Sequence, residues 1–347
     1  MDPNAYLAAA EAAFARAAGR AAVHDVFLRI AGASVRLRVI GAGLLPAIEP
    51  PFRHLRAPAV PRPDLGIVVA DHRETGVDIP PPPWLPPGDP AAGRFRGAHH
   101  SALAEAGGAQ VWMLDHRSGT GFLWIRSAAE MPIWDRIHPL RQILGAWAAA
   151  QSLQLMHAGA VGFDGAGVLL VGAGGSGKST VVLACIDAGA LAAGDDYVLV
   201  EHGAPTVAHS VYGTMRLFEG HARRFPFLMP ESDSVAPGHD GAPKLTANVA
   251  LRRPESLIAS LPLAAIVMPR VVAGGKTRLR RENGGAALFA VAPNTLHQVD
   301  PKSRAAFERM ARLCKTLPCW RLELGADLNA VPGEIRRAIA ASATAAV

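Results

Sequence analysis

Hydrophobic and polar positions alternate in short segments along the first third of the chain, a pattern typical of half-buried strands. Segments at residues 23–30 and 34–40 are joined by Ala31-Gly32-Ala33, which predicts a β-hairpin. An Ala-rich helix is predicted before this hairpin, and further strands are predicted at residues 65–71, 110–115 and 121–126. We therefore predict a strand-rich, antiparallel N-terminal domain over residues 1–130.

Prolines interrupt this domain at two places. Residues 44–55 are predicted to form a short helix that Pro50 and Pro51 interrupt. Residues 79–90 read IPPPPWLPPGDP, and proline fixes φ and lacks a backbone donor, so neither a helix nor a central strand fits there. A stiff surface connection is the simpler interpretation, and a docking site for a proline-binding module is the alternative.

The periodicity changes in the second half. Apolar residues recur at helical spacing over residues 133–152, so one helix is predicted in the connecting segment 131–152. From residue 153 onward short apolar strands alternate with helical segments, which predicts an α/β domain over residues 153–347. In its most basic stretch, residues 276–281, basic residues alternate with Thr and Leu, which predicts a strand with one solvated face.

Composition and charge exclude several classes of protein. The 347 residues are 50% hydrophobic and 18% charged, with a net charge of +6 but no basic run suited to nucleic acid. Cys185, Cys314 and Cys319 lack metal-ligand spacing and fit a reducing compartment. No apolar run approaches the roughly 18–20 residues of a membrane span, and Asp2 and Glu11 argue against a signal peptide. We expect a cytoplasmic protein with neither nucleic acid nor membrane as partner.

Residues 172–179 match the phosphate-binding motif G-x-x-x-x-G-K-[ST] at every fixed position. An apolar strand is predicted before the motif, at residues 168–171, and a helix after it, at residues 180–186. The loop amides and the helix N-terminus would bind an anion, Lys178 would reach the β- and γ-phosphates, and Ser179 would bind Mg²⁺. ATP or GTP with Mg²⁺ is therefore the predicted ligand. The predicted nucleotide-binding residues are Gly172, Ala173, Gly174, Gly175, Ser176, Gly177, Lys178, Ser179 and Thr180.

A pair of acids follows at a distance that leaves room for one helix and a return to the sheet. Asp195 and Asp196 stand before an apolar segment, 16 and 17 residues after Ser179. In an extended segment their side chains would point to opposite faces, one toward the metal and one toward an acceptor hydroxyl. A solvated turn is the alternative for the pair. His157 precedes the loop strand and, taken alone, equally fits a structural histidine.

These segments together resemble the kinase domain of HPr kinase/phosphorylase, in which a histidine precedes the loop strand and paired Asp residues follow the loop serine at these offsets. The resemblance implies a fold similar to that of phosphoenolpyruvate carboxykinase. It implies that Asp196 is the base for the acceptor serine, that Asp195 and Ser179 support the metal, and that His157 lies near the γ-phosphate or Asp196. The chain departs from the family at Thr180, where HPr kinases usually carry Glu, and lacks recognisable segments for the reverse phosphorylase reaction.

Later segments resemble HPr-kinase-like proteins that are encoded with peptide-modification systems, some of which phosphorylate the C-terminal serine of a lasso-peptide precursor. From these segments, the resemblance singles out Arg216 and Lys244 as cations for charge stabilisation or acceptor binding. It also leaves a homo-oligomer open, because many family members are oligomeric. The resembling segments are residues 211–217, 243–245, 264–270, 292–295 and 317–325.

The leading hypothesis is an ATP-dependent kinase that phosphorylates a serine of a peptide or protein. The N-terminal domain would then recruit the substrate by adding a peptide strand to a sheet edge. A small-molecule kinase shares every feature of the phosphate loop, and gene context would separate the two. A non-catalytic nucleotide sensor is the third hypothesis, and it would not need the two acids.

Overall fold

Two compact units, Met1–Ala150 and Gln151–Val347, make up the chain in a computed structural model. The structure describes residues 2–85, 93–105, 108–218, 223–228, 235–237, 243–299 and 303–343. Both units combine helices with sheets, so the chain is of the mixed α/β class.

The first unit contains seven described strands and five described α-helices. The strands are β1 (Val23–Ile30), β2 (Ala33–Ile40), β3 (Leu65–Asp71), β4 (Gly93–Arg96), β5 (His100–Ala104), β6 (Gln110–Asp115) and β7 (Thr120–Ile125). The helices are α1 (Pro3–Ala18), α2 (Leu45–Ile48), α3 (His72–Thr75), α4 (Ile133–Ile137) and α5 (Arg141–Ala150), with 3₁₀ turns at Pro50–Leu55 and Ala128–Glu130.

The seven strands form one sheet in the order β1-β2-β3-β7-β6-β5-β4. The predicted hairpin is confirmed: β1 and β2 pair antiparallel, and Ala31 and Gly32 both have positive φ, as a tight two-residue hairpin turn requires. The prediction of a wholly antiparallel domain is wrong, because β3 runs parallel to both β2 and β7. The chain between β2 and β3 contains α2 and a 3₁₀ turn, which is long enough for a crossover.

The single helix predicted over residues 133–152 is also wrong. The structure has two helices there, α4 and α5, separated at His138 to Leu140. Pro139 is the physical reason, since proline disfavours helical backbone at the residue before it. His138 accordingly has φ −130° and ψ 62°, and Leu140 has a positive φ of 60°. In the proline-rich stretch, residues 79–85 form no helix or strand, and residues 86–90 lie outside the described ranges.

The second unit carries the remaining described elements. Its strands are β8 (Gln154–Met156), β9 (Gly159–Phe163), β10 (Ala166–Leu170), β11 (Leu191–Gly194), β12 (Val198–Glu201), β13 (Val207–Ser210), β14 (Thr214–Phe218), β15 (Val235–Pro237), β16 (Pro243–Asn248), β17 (Ser260–Val271), β18 (Arg278–Glu282) and β19 (Cys319–Leu324). Its helices are α6 (Lys178–Asp187), α7 (Val249–Arg252), α8 (Gly284–Val299), α9 (Arg304–Thr316) and α10 (Val331–Ala343), with 3₁₀ turns at Pro226–Leu228 and Pro254–Ser256.

Nine of these strands form a sheet in which β17 runs parallel to both β10 and β19. The carboxyl ends of these three strands therefore lie at one edge of the sheet, where open α/β folds bind ligands. One face of the sheet packs against α6 and α10, and the other face against α8 and α9. A separate three-stranded sheet has the order β14-β16-β15.

The strand predicted from the basic stretch is confirmed as β18, an antiparallel neighbour of β19. Leu279 is buried in its centre, whereas Arg278 and Arg280 are exposed. Within the described ranges, no helix combines the length and the apolar composition that crossing a bilayer requires.

Candidate active site

The phosphate-binding motif lies between β10 and α6, at the sheet edge where β17 and β19 also end. Gly177 ends the loop with φ 105°, a left-handed conformation that favours glycine, and a Cβ added there would collide with Leu324 of β19. The loop tip, residues 173–175, is exposed, while Ser179 and Thr180 are half-buried in the first turn of α6. The predicted order of strand, loop and helix is confirmed.

Lys178 is the first residue of α6, and its side chain folds back into the loop. Its Nζ donates to the carbonyl oxygens of Gly172 at 2.8 Å and Ala173 at 3.2 Å. Burial lowers the pKa of this ammonium, and the carboxylates of Asp196 and Asp195 oppose that effect. The lysine therefore lies within electrostatic reach of both acids, although about 17 residues of chain separate them.

Asp195 is completely buried, at 0% exposure, which excludes the solvated turn as an interpretation of this residue. In the described part of the chain, neither of its carboxylate oxygens meets hydrogen-bond geometry with a partner. Burial, followed by the like charge of Asp196, raises its pKa, whereas the Ser179 hydroxyl and the Lys178 ammonium favour the ionised form. Open carboxylate oxygens beside a hydroxyl fit a hard divalent cation, so Asp195 and Ser179 suit Mg²⁺.

Asp196 differs from the prediction in its backbone. The extended conformation expected for this segment is wrong, because Asp196 has a left-handed φ of 63° in the turn between β11 and β12. Such a conformation costs a non-glycine residue roughly 1 kcal/mol and is concentrated at functional sites. The Tyr197 amide closes the turn by donating to the Asp195 carbonyl at 2.7 Å. The two acids therefore lie in a turn, so the alternation of side chains along a strand does not set their directions.

His157 follows β8 and lies beside Asp196. Its Nε2 is 3.5 Å from an Asp196 carboxylate oxygen, and its ring stacks on Tyr197 with the centroids 5.3 Å apart. Both side chains of the pair are mostly buried, at 16% and 20% exposure. The structure thus places His157 beside Asp196, one of the two neighbours that the family resemblance implied.

Arg216 and Lys244 lie on the three-stranded sheet, on neighbouring strands β14 and β16. The alternate residues Met215, Leu217 and Leu245 enter the core against α6, so both cations lie on the opposite face. The Lys244 charge contributes to the lowered pKa of Lys178, which places it near the phosphate loop. Its Nζ also lies 4.7 Å from the centroid of the Phe218 ring.

Two residues of α8 also contact the site, although the sequence did not predict them as site residues. The Asn294 side chain donates from Nδ2 to the Gly172 carbonyl at 3.3 Å. The fully buried Thr295 accepts at Oγ1 from the His157 backbone amide at 3.2 Å. The available signals were the proline at position 293, inside a helical pattern, and the family resemblance of residues 292–295.

No family model matches the chain, and no curated protein matches it. Among solved structures, the chain is similar to the Hpr(Ser) kinase/phosphatase from Coxiella burnetii at 13% sequence identity. The similarity covers 56% of this chain and 98% of that chain, with a TM-score of 0.29. A superposition this weak supports no transfer of residue roles, so the functional assignment rests on the site of this chain.

Proposed function

We propose that this protein is a nucleotide- and Mg²⁺-dependent kinase that transfers the γ-phosphate of ATP or GTP to a serine hydroxyl of a peptide or protein. One observation carries the proposal: a complete phosphate loop whose lysine is within electrostatic reach of two acids, one fully buried and one in a strained turn. Binding of phosphates alone needs the loop, whereas phosphoryl transfer also needs a metal ligand and an acceptor-side base.

On the donor side, the loop amides, the α6 N-terminus and Lys178 would hold the β- and γ-phosphates. Ser179 and Asp195 would hold Mg²⁺, which would neutralise charge on the phosphate oxygens. The ammonium of Lys178 would exchange its contacts with the Gly172 and Ala173 carbonyls for phosphate oxygens. Lys244, the nearby second cation, would stabilise negative charge on the transferred group or on the acceptor.

On the acceptor side, Asp196 would accept the serine hydroxyl proton while the serine oxygen forms a bond to the γ-phosphorus. The bond between the γ-phosphorus and the bridging oxygen then breaks, and the nucleoside diphosphate leaves with that electron pair. His157, 3.5 Å from Asp196, would hold this carboxylate in place. Phosphoserine, the nucleoside diphosphate and one proton are the products.

A polypeptide acceptor is proposed from the sequence resemblance to HPr-kinase-like proteins. The C-terminal serine of a lasso-peptide precursor is the narrowest form of this proposal. Arg216 shares its sheet face with Lys244 and would bind the acceptor. The first unit would recruit the polypeptide, since β1 and β4 end its described sheet and offer edges for strand addition. The proposal includes a cytoplasmic location and leaves self-association to measurement.

The test is incubation with Mg²⁺, ATP or GTP, and peptides encoded near the gene, followed by mass spectrometry for one added phosphate. We expect Asp196→Asn to bind nucleotide within about threefold of wild type but to lose transfer by at least about 100-fold. Asp327→Asn, at an exposed acid, is the matched control and should transfer normally. Unimpaired transfer by Asp196→Asn would refute its role as base, and phosphorylation of metabolites alone would favour the small-molecule kinase.

A further inference from the structure

We infer that the Asn294-Thr295 pair of α8 is a positioning element that fixes the phosphate loop with one side chain and the histidine beside the acceptor-side acid with the other. The inference rests on the proposed function and extends it to a helix outside the loop and the acid pair. Its basis is a pair of hydrogen bonds made by adjacent residues, which reach the donor half and the acceptor half of one site.

Asn294 acts on the donor half through the Gly172 carbonyl. This oxygen accepts hydrogen bonds from both Lys178 Nζ and Asn294 Nδ2, and a carbonyl has two lone pairs to do so. When Lys178 turns toward a phosphate, the buried Gly172 carbonyl loses the lysine but keeps the amide. Asn294 therefore lowers the free-energy penalty of releasing the lysine, since an unpaired buried carbonyl is unfavourable.

Thr295 acts on the acceptor half through the backbone of His157. Its hydroxyl oxygen accepts the His157 amide hydrogen at 3.2 Å, and its side chain has no exposed surface. The imidazole of the same histidine is held between Asp196 and Tyr197. Fixing the backbone of His157 therefore fixes the position from which its ring contacts the carboxylate of Asp196.

A proline immediately precedes the two residues in α8. Pro293 lies inside α8 and cannot donate to the carbonyl four residues earlier, so the regular ladder of hydrogen bonds is interrupted just before Asn294. Asn294 and Thr295 follow the proline directly, and they contact the Gly172 carbonyl and the His157 amide. Phe289, on the same helix, is 85% exposed and marks its solvent face.

The proposed role of Asn294, the donor arm of the inference, is tested by calorimetry. The purified full chain is titrated with Mg-ATP, or with Mg-GTP if that binds more tightly. We expect Asn294→Leu to weaken nucleotide binding about five- to tenfold, because the Gly172 carbonyl is left unpaired when the lysine moves. Phe289→Ala is the control and should bind within twofold of wild type. Wild-type affinity in Asn294→Leu would overturn the donor arm. If that variant fails to fold, Asn294→Ala also removes the donor and gives the same comparison.

The proposed role of Thr295, the acceptor arm of the inference, is tested by measuring nucleotide affinity and the transfer rate separately. Thr295→Val keeps the side-chain shape but removes the acceptor, so we expect unchanged nucleotide affinity and a transfer rate about five- to tenfold lower. Thr295→Ser should restore the rate, and in a His157→Ala background the Val substitution should have no further effect. A role in stability alone would lower both quantities together and would leave Ser no better than Val, which would overturn the inference.

The two arms also separate this inference from the proposed function. Absence of phosphoryl transfer by the wild-type chain would refute the kinase proposal, yet the calorimetric comparison of Asn294→Leu with Phe289→Ala would still decide the role of Asn294. Conversely, normal affinity and normal transfer in the Asn294 and Thr295 variants would overturn the inference and leave the kinase proposal intact.

Discussion

Replacing Asp195 by Asn should stabilise the protein while abolishing its proposed activity. The substitution keeps the side-chain shape and removes only the charge of a fully buried carboxylate. The Ser179 hydroxyl, the Lys178 ammonium and the Asp196 backbone amide favour its ionised form, but burial and the charge of Asp196 outweigh them and raise its pKa. An amide at this position has no charge to desolvate.

The magnitude follows from the desolvation of this one group. A charged group costs more to bury than a neutral amide of the same shape, so Asp195→Asn should raise the free energy of unfolding by about 1–3 kcal/mol at neutral pH. For a unit of this size each 1 kcal/mol corresponds to about 2–4 °C in the unfolding temperature. The expected increase is therefore roughly 2–12 °C.

The pH dependence of stability tests independently whether Asp195→Asn stabilises the protein. Because burial raises the pKa of Asp195 above its ordinary value of 3.8, the folded chain holds this proton more tightly than the unfolded chain does. The contribution of Asp195 is therefore most favourable below pH 3.8 and is lost as pH rises through the raised folded-state pKa. The stability gap between Asp195→Asn and wild type should widen with rising pH and then level off.

The assay is chemical or thermal unfolding of nucleotide-free protein across this pH range, with phosphoryl transfer measured in parallel. Asp327→Asn is the control, because that acid is exposed and an Asn oxygen can still accept from the Asn329 amide. It should match wild type within about 0.5 kcal/mol. A variant at position 195 that is less stable than wild type, or a stability gap that stays constant with pH, would refute the account of Asp195 as an incompletely compensated buried charge.

Two further predictions concern the loop and the metal. Gly177→Ala should weaken nucleotide binding by at least about tenfold in calorimetry, because alanine is strained at φ 105° and its Cβ would collide with Leu324. Gly333→Ala is the control, because it lies in α10 outside the loop and a Cβ there meets nothing within 4 Å. Equal losses in both variants would contradict the reasoning. Chelation of divalent cations should stop phosphoryl transfer yet leave the circular dichroism of the nucleotide-free chain unchanged, since the described residues contain no cluster of three His, Cys, Asp or Glu that could hold a structural ion.

The strand, loop and helix around residues 172–179 could be predicted because all their determinants are contiguous in sequence. Strand, glycine-rich loop, lysine and helix follow one another within about 20 residues, and the structure has them in that order. The contacts of Asn294 and Thr295 could not be predicted in the same way. They join residues 122 and 138 positions apart, and only the packing of α8 on the sheet brings them together.

The periodicity of hydrophobic residues also could not predict strand direction or backbone strain. Alternation of polar and apolar residues is the same in parallel and antiparallel strands, so the parallel pairing of β3 with β2 and β7 left no mark in the pattern. Pro139 itself indicates a break in the helix, but apolar residues at helical spacing on both sides of it favoured one continuous helix. The left-handed turn at Asp196 has no sequence signal comparable to a glycine.

Three locally unfavourable features meet around the glycine-rich loop: a buried lysine, a fully buried acid whose pKa is raised by burial, and a non-glycine residue in a left-handed turn. Neutral residues at these positions would serve stability better, so their convergence favours a chemical role over a structural one. It also favours the proposed kinase over the nucleotide sensor. Binding of a nucleotide would use Lys178 and the loop, whereas the proposed transfer also gives the strained Asp196 beside His157 a task, the uptake of the acceptor proton.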